Sequence, residues 1–110
     1  MSGLAHDAEA FEVALVQFVS LAQRMIDAEN AKHFPRNSRQ VLTISRRPKQ
    51  PIRLLISNWT RLVWAFIDPE TGDILKPITW DLYRRNPRGN IFNANPLDGV
   101  NASGPMPARE

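Results

Sequence analysis

Three aromatic residues, Trp59, Trp80 and Tyr83, stand beside four arginines, Arg61, Arg84, Arg85 and Arg88. A second basic cluster, Arg46, Arg47 and Lys49, lies in a connection punctuated by Pro48 and Pro51. Aromatic faces stack on unpaired bases and guanidinium forks donate bidentately to phosphate. These residue types together therefore have the chemistry of a single-strand nucleic-acid surface. In that reading Arg46, Arg47, Lys49, Arg84, Arg85 and Arg88 meet phosphates, Arg61 flanks them, and Trp59 or Tyr83 stacks on a base. The bland alternative makes Trp59 and Trp80 lids over the two ends of the core and the Arg46 cluster a solvated loop. Arg88, between Pro87 and Gly89, has no evident packing role and is the strongest single candidate for a functional contact.

Charge distribution points the same way. Residues 1–31 carry one base against five acids, whereas residues 32–92 carry twelve Lys and Arg against four acids. A basic half-domain is the usual electrostatic footprint of a nucleic-acid binder. The same basic face would also suit an acidic protein, or the acidic helix of a second copy in a homo-oligomer.

Catalysis finds little support. His6 and His33 show neither triad nor metal-ligand spacing, and no phosphate loop, nucleophile elbow or zinc-binding helix occurs. The carboxylates of Asp68-Pro69-Glu70-Thr71-Gly72-Asp73 lack the alternation of a calcium loop and read as a hairpin turn. The chain has no cysteine, which excludes disulfides, thiolate metal sites and thiol nucleophiles. The expectation is a non-enzymatic protein with no cofactor and no metal. An acidic N-terminus unlike a signal peptide and apolar runs too short to span a bilayer imply no membrane partner. The expected location is the cytoplasm.

One hundred and ten residues, 43% apolar, make one domain with a modest core. Phe11, Leu15, Phe18, Ala22 and Met25 recur at helical spacing, which predicts a helix over about residues 7–31. Asp7 would cap it, and Glu9 would meet the positive end of its dipole. Val13, Val16 and Val19 widen the apolar surface and either flank the core or contact another helix. His33-Phe34-Pro35 ends the helix. VLTIS over 41–45 and IRLLIS over 52–57 read as strands, and RLVWAFID over 61–68 is apolar on both faces, as a central strand is. Strict alternation places Leu62, Trp64 and Phe66 on one face and Val63, Ala65 and Ile67 on the other. The turn at 68–73 leads into an antiparallel return over 74–78 that Pro77 ends or confines to an edge. Thr79 would cap a short helix over 79–85, and residues 86–90 have turn chemistry. The Asn-, Pro- and Gly-rich stretch 93–110 reads as a disordered tail.

The segment from Trp64 to Phe92 resembles small uncharacterised proteins of bacteriophages and environmental viruses. The likeness rests on Phe66-Ile67-Asp68, on Thr71-Gly72-Asp73-Ile74-Leu75-Lys76, on Trp80 and on Arg88-Gly89-Asn90-Ile91-Phe92. The likeness extends into the N-terminal helix at Phe18-Val19, Ala22-Gln23, Ile26-Asp27 and Phe34-Pro35. This chain departs from those proteins between Trp80 and Arg88, where they are shorter and lysine-rich. The resemblance implies a viral origin, in host cytoplasm or virion, and carries no activity with it. The expectation is thus an α+β domain: a long amphipathic helix on a three- to four-stranded antiparallel sheet over residues 1–92. It would serve as a viral accessory protein that binds single-stranded nucleic acid without sequence specificity. The rival expectation is a virion component or a host-factor binder.

Overall fold

The structure, a computed structural model, describes residues 8–33, 39–57 and 60–106. The apolar spacing of the N-terminal segment produces helix α1, Ala8–His33, with Phe11, Leu15, Phe18, Ala22 and Ile26 buried. Asp7, Phe34 and Pro35 lie outside the described residues. Of the three extra valines, Val19 packs against the core while Val13 and Val16 face outwards.

Five antiparallel strands form one sheet in sequence order: β1 (Val41–Ser45), β2 (Ile52–Ser57), β3 (Arg61–Ile67), β4 (Asp73–Leu75) and β5 (Gly89–Asn90). The α+β architecture and the central place of β3 are as the pattern indicates; the sheet has one strand more than expected. Helix α1 covers one face, where Leu42, Ile52, Leu54, Ala65, Ile67 and Ile74 meet its buried stripe. The turn from β3 to β4 is held by its own polar atoms. Gly72 N donates to Asp68 O at 2.8 Å, Glu70 N to Asp68 Oδ1 at 2.8 Å, and Asp73 N to Thr71 Oγ1 at 3.1 Å. Gly72 has φ 79°, and a Cβ there would stand 2.8 Å from the Phe92 ring, so both conformation and space demand glycine.

Three expectations are corrected. First, strict alternation along β3 fails. Leu54 pairs with Ala65 but Leu55 pairs with Val63, which leaves Trp64 as the extra residue of a bulge. Trp64 therefore joins Ala65 on the helix side, 6.2 Å from the Phe18 ring, and Phe66 turns to the opposite face. Second, residues 79–85 form bends, not a helix. The Thr79 hydroxyl accepts the amides of Asp81 and Leu82, and Ile78 N and Thr79 N both donate to Leu82 O, which closes a tight loop. Tyr83 then bridges back to Pro77.

Third, the ordered domain continues past residue 92. A small hairpin, β6 (Val100–Asn101) and β7 (Gly104–Pro105), buries Val100 and sets Leu97 and Ala102 against the core. Trp64 Nε1 donates to Ala102 O at 3.1 Å. Gly99, at φ 87°, lies so close to Arg88 O that a Cβ would come within 1.8 Å. A composition rich in Asn, Pro and Gly here encodes successive tight turns, and a few small apolar anchors suffice to dock them.

Candidate functional site

The sheet face away from α1 carries its own small core of Leu55, Phe66 and Leu75, and among these apolar side chains stands Arg53, 4% exposed. Its strand position, opposite Ser45 on one side and Phe66 on the other, aims the guanidinium across this face. Nε donates to Trp80 O at 2.9 Å and Nη2 donates to Asp81 Oδ1. The cation sits 5.3 Å from the Trp80 ring centroid and 6.0 Å from that of Phe66. Asp81 also accepts from Arg47 Nη2 at 3.0 Å. A buried guanidinium is tolerated only when its charge and its N–H groups are matched, and here one loop does both. Arg53 thus pins residues 78–82 onto the sheet.

That pinned loop is the wall of a groove of about 390 Å3. Leu62, Val63 and Trp64 of β3 line one side, Lys76 to Trp80 line the other, and Ser103 and Pro105 complete it. The groove exists because β4 ends at Leu75, and Pro77, which lacks an N–H, diverts the chain to Tyr83. Four large apolar side chains surround it, Leu62, Ile78 and Trp80 in its walls and Leu82 on the same loop, each between 44% and 62% exposed. Among the described residues no carboxylate lines it, and the one lining cation, Lys76, donates from Nζ to Pro105 O at 2.9 Å.

The residues expected to contact nucleic acid are distributed differently. Arg46 is engaged by Glu12 through two bonds of 2.6 and 2.9 Å, and Arg47 by Asp81. Arg88 has a packing role after all: Nε donates to Met106 O at 2.9 Å and Nη1 to Asn86 O at 2.5 Å, so it ties the C-terminal hairpin to the body. Tyr83 packs on Phe66 at 5.0 Å between ring centroids. Lys49 (φ 60°), Arg61, Arg84 and Arg85 are left exposed, or nearly so, with no side-chain partner among the described residues. They are not one patch by register. Lys49 sits in the β1–β2 turn, Arg61 begins β3 at the other end of the sheet, and Arg84 and Arg85 follow the bridge to Pro77. Trp59 lies outside the described residues.

Sequence reasoning missed Arg53, Asp81 and the groove. A signal was present: an arginine inside the apolar run IRLLI requires a carboxylate partner, and Asp81 is the one acid between residues 74 and 97. A second, shallower surface lies on α1, where Ala10, Val13, Gln17 and Phe92 line an open depression. Among the described residues no group of three or more His, Asp or Glu is placed to hold a metal ion, and no helix is long and apolar enough to cross a membrane. No family model matches the chain, and neither a curated protein nor a solved structure matches it.

Proposed function

We propose that this chain is a small, non-enzymatic interaction domain that docks a protein partner in the groove beside β3. One observation carries the reading: Leu62, Ile78, Trp80 and Leu82 concentrate exposed apolar surface around a single concavity that a buried arginine holds open. Scattered apolar side chains on a surface need no explanation, but a contiguous set around a groove marks an interaction site. The phage-like hairpin motif supports a viral setting, as a virion component or a binder of a host factor.

The test is a selection from a displayed library of short peptides, followed by mapping with amide chemical shifts. Enriched peptides that perturb residues 62–64 and 76–80, and that lose at least tenfold in affinity on Ile78→Glu, support the assignment. Failure of any sequence to enrich, or binding indifferent to Ile78→Glu, removes it. A second reading, binding of single-stranded nucleic acid, is favoured by Arg84 and Arg85, which stand beside Tyr83 and carry no side-chain partner among the described residues. It requires oligonucleotide affinity that falls steeply with salt. With fewer unpaired cations than the sequence implies, the expected salt slope is shallow, and Arg84→Ala with Arg85→Ala should abolish it.

A further inference from the structure

The groove is more than apolar: one wall is an interrupted strand edge. The hydrogen-bond direction can be followed across the sheet. On β1, Leu42 N donates to the Gln23 side chain and Gln40 O accepts from it, so these main-chain groups point away from β2. In an antiparallel ladder the direction alternates from residue to residue and is shared by directly paired residues. Leu42 pairs with Ile56, so the main-chain groups of Ile56 point to β3 and bond Leu62, its partner there. Those of Arg61 and Val63 then point the opposite way, away from β2, Val63 lining the groove and Arg61 preceding its lining residues on the same strand. β4 pairs β3 only at Phe66 and Ile67, and β7 packs beside β3 at Trp64, where a Cβ on Gly104 would stand 2.7 Å from Trp64 O; among the described residues no strand pairs with Arg61 or Val63 on that flank.

We propose that the groove binds its partner by strand addition: an extended segment pairs with the Arg61 and Val63 main chain and seats alternate apolar side chains against Leu62, Ile78 and Trp80. Carboxylates flank those apolar residues in the partner. The charge argument is on the surface itself: among the described residues Arg61 has no side-chain partner, Lys76 stands in the opposite wall and no acid lines the groove. Main-chain bonds supply register-independent affinity and the apolar walls supply choice of side chain. The proposal rests on the docking function above and adds the mode and the chemistry of the partner.

The probe is a capped heptapeptide alternating valine and threonine between two terminal glutamates, added to the full chain. Binding should slow amide hydrogen exchange at Arg61 and Val63 by at least tenfold while leaving Leu62 unchanged. Methylating the peptide amides that face β3 should weaken binding at least tenfold with every side chain kept. Replacing both glutamates by lysine should weaken it severalfold. If the methylated peptide binds as well as its parent, strand addition is overturned while apolar docking stands. If lysine at the ends makes no difference, the acidic requirement falls. No binding at millimolar peptide overturns both readings. Protection of the same two amides by an oligothymidylate, and not by the peptide, would assign the groove to single-stranded nucleic acid and overturn the proposal. Leu62→Thr, exposed in the free chain and fold-neutral, should cut affinity without moving the unfolding midpoint, which separates loss of contact from loss of fold.

Discussion

Two of the strand flanks that no neighbouring strand pairs among the described residues, those of β1 and β3, are treated in opposite ways. On the outer flank of β1 the Gln23 carboxamide takes the place of a missing strand. Its Nε2 donates to Gln40 O and its Oε1 accepts from Leu42 N, both at 2.8 Å. Asp27 accepts from the same Nε2 at 3.0 Å and is itself gripped by Arg39 through bonds of 3.1 and 2.8 Å, so the plug is fixed from behind. On the groove flank of β3 the hairpin of β6 and β7 packs beside Trp64, but among the described residues no side chain bonds the main chain of Arg61 or Val63, and apolar side chains gather around the gap. An exposed strand edge invites pairing with another chain, and natural sheets usually blunt it. One edge is thus plugged, and the other is left to the pairing proposed above.

Experiments can break this contrast in order of effect. Arg53→Met should be the most damaging, at about 3 kcal/mol. It orphans Trp80 O, frees Asp81 and releases the loop that shapes the open side. Urea unfolding monitored by tryptophan emission reads the stability, and peptide affinity should fall with it. Gln23→Leu should follow at about 2 kcal/mol, because two main-chain groups of β1 lose their partner. Its more telling readout is light scattering: the unplugged edge should self-associate with rising concentration, and a variant that stays monomeric would show that the carboxamide is not what keeps β1 apart.

Pro77→Ala should change stability by less than about 1 kcal/mol while restoring a ladder donor. If β4 then lengthens along β3, the groove closes and the heptapeptide loses affinity severalfold; unchanged affinity would mean that the interruption is not what makes the edge available. The smallest effect concerns Asp27. The hydrogen bond from Arg39 holds its carboxyl below the ordinary carboxylate range, against a smaller opposing effect of burial. A carboxylate whose pKa is lower in the folded chain stabilises the fold above its unfolded pKa, and that contribution fades as pH falls through the lower, folded value. Asp27→Asn should therefore lower the urea midpoint at neutral pH and match the parent near the acid end, and a gap independent of pH would assign the effect to packing.

Much of the frame is legible in the sequence because it rests on local rules. The stripe from Phe11 to Ala22 can be buried only as a helix, and Asp68 to Asp73 supplies its own turn bonds, so both elements follow from spacing and turn chemistry. The bulge at Trp64 is not legible, since alternation assumes one residue per step, and whether two residues oppose Leu54 is decided by the neighbouring strand. Residues 93–106 were hidden for a related reason: their anchors, Leu97, Val100 and Ala102, are few and widely spaced, and only the body they dock against makes them a core. At the site, charge counting registers every arginine alike. It cannot separate Arg84 and Arg85, which face solvent, from Arg46, which Glu12 engages across 34 positions, or Arg88, spent on two carbonyls. Gln23 carries no pattern at all, for one polar residue on a helix looks like any other until a strand edge stands beside it.

The C-terminal hairpin bears on timing. Ala102, Pro105 and Met106 accept from Trp64, Lys76 and Arg88, so the last described residues bind groups made well before them. During synthesis on the ribosome the helix and most of the sheet emerge first, with the Trp64 indole and the Arg88 guanidinium still lacking their acceptors. Ser103 and Pro105 complete the groove, and it cannot exist until they have left the exit tunnel. A nascent chain would therefore display β3 with its edge bare and its pocket unfinished, and the proposed docking requires the polypeptide to have emerged through that hairpin.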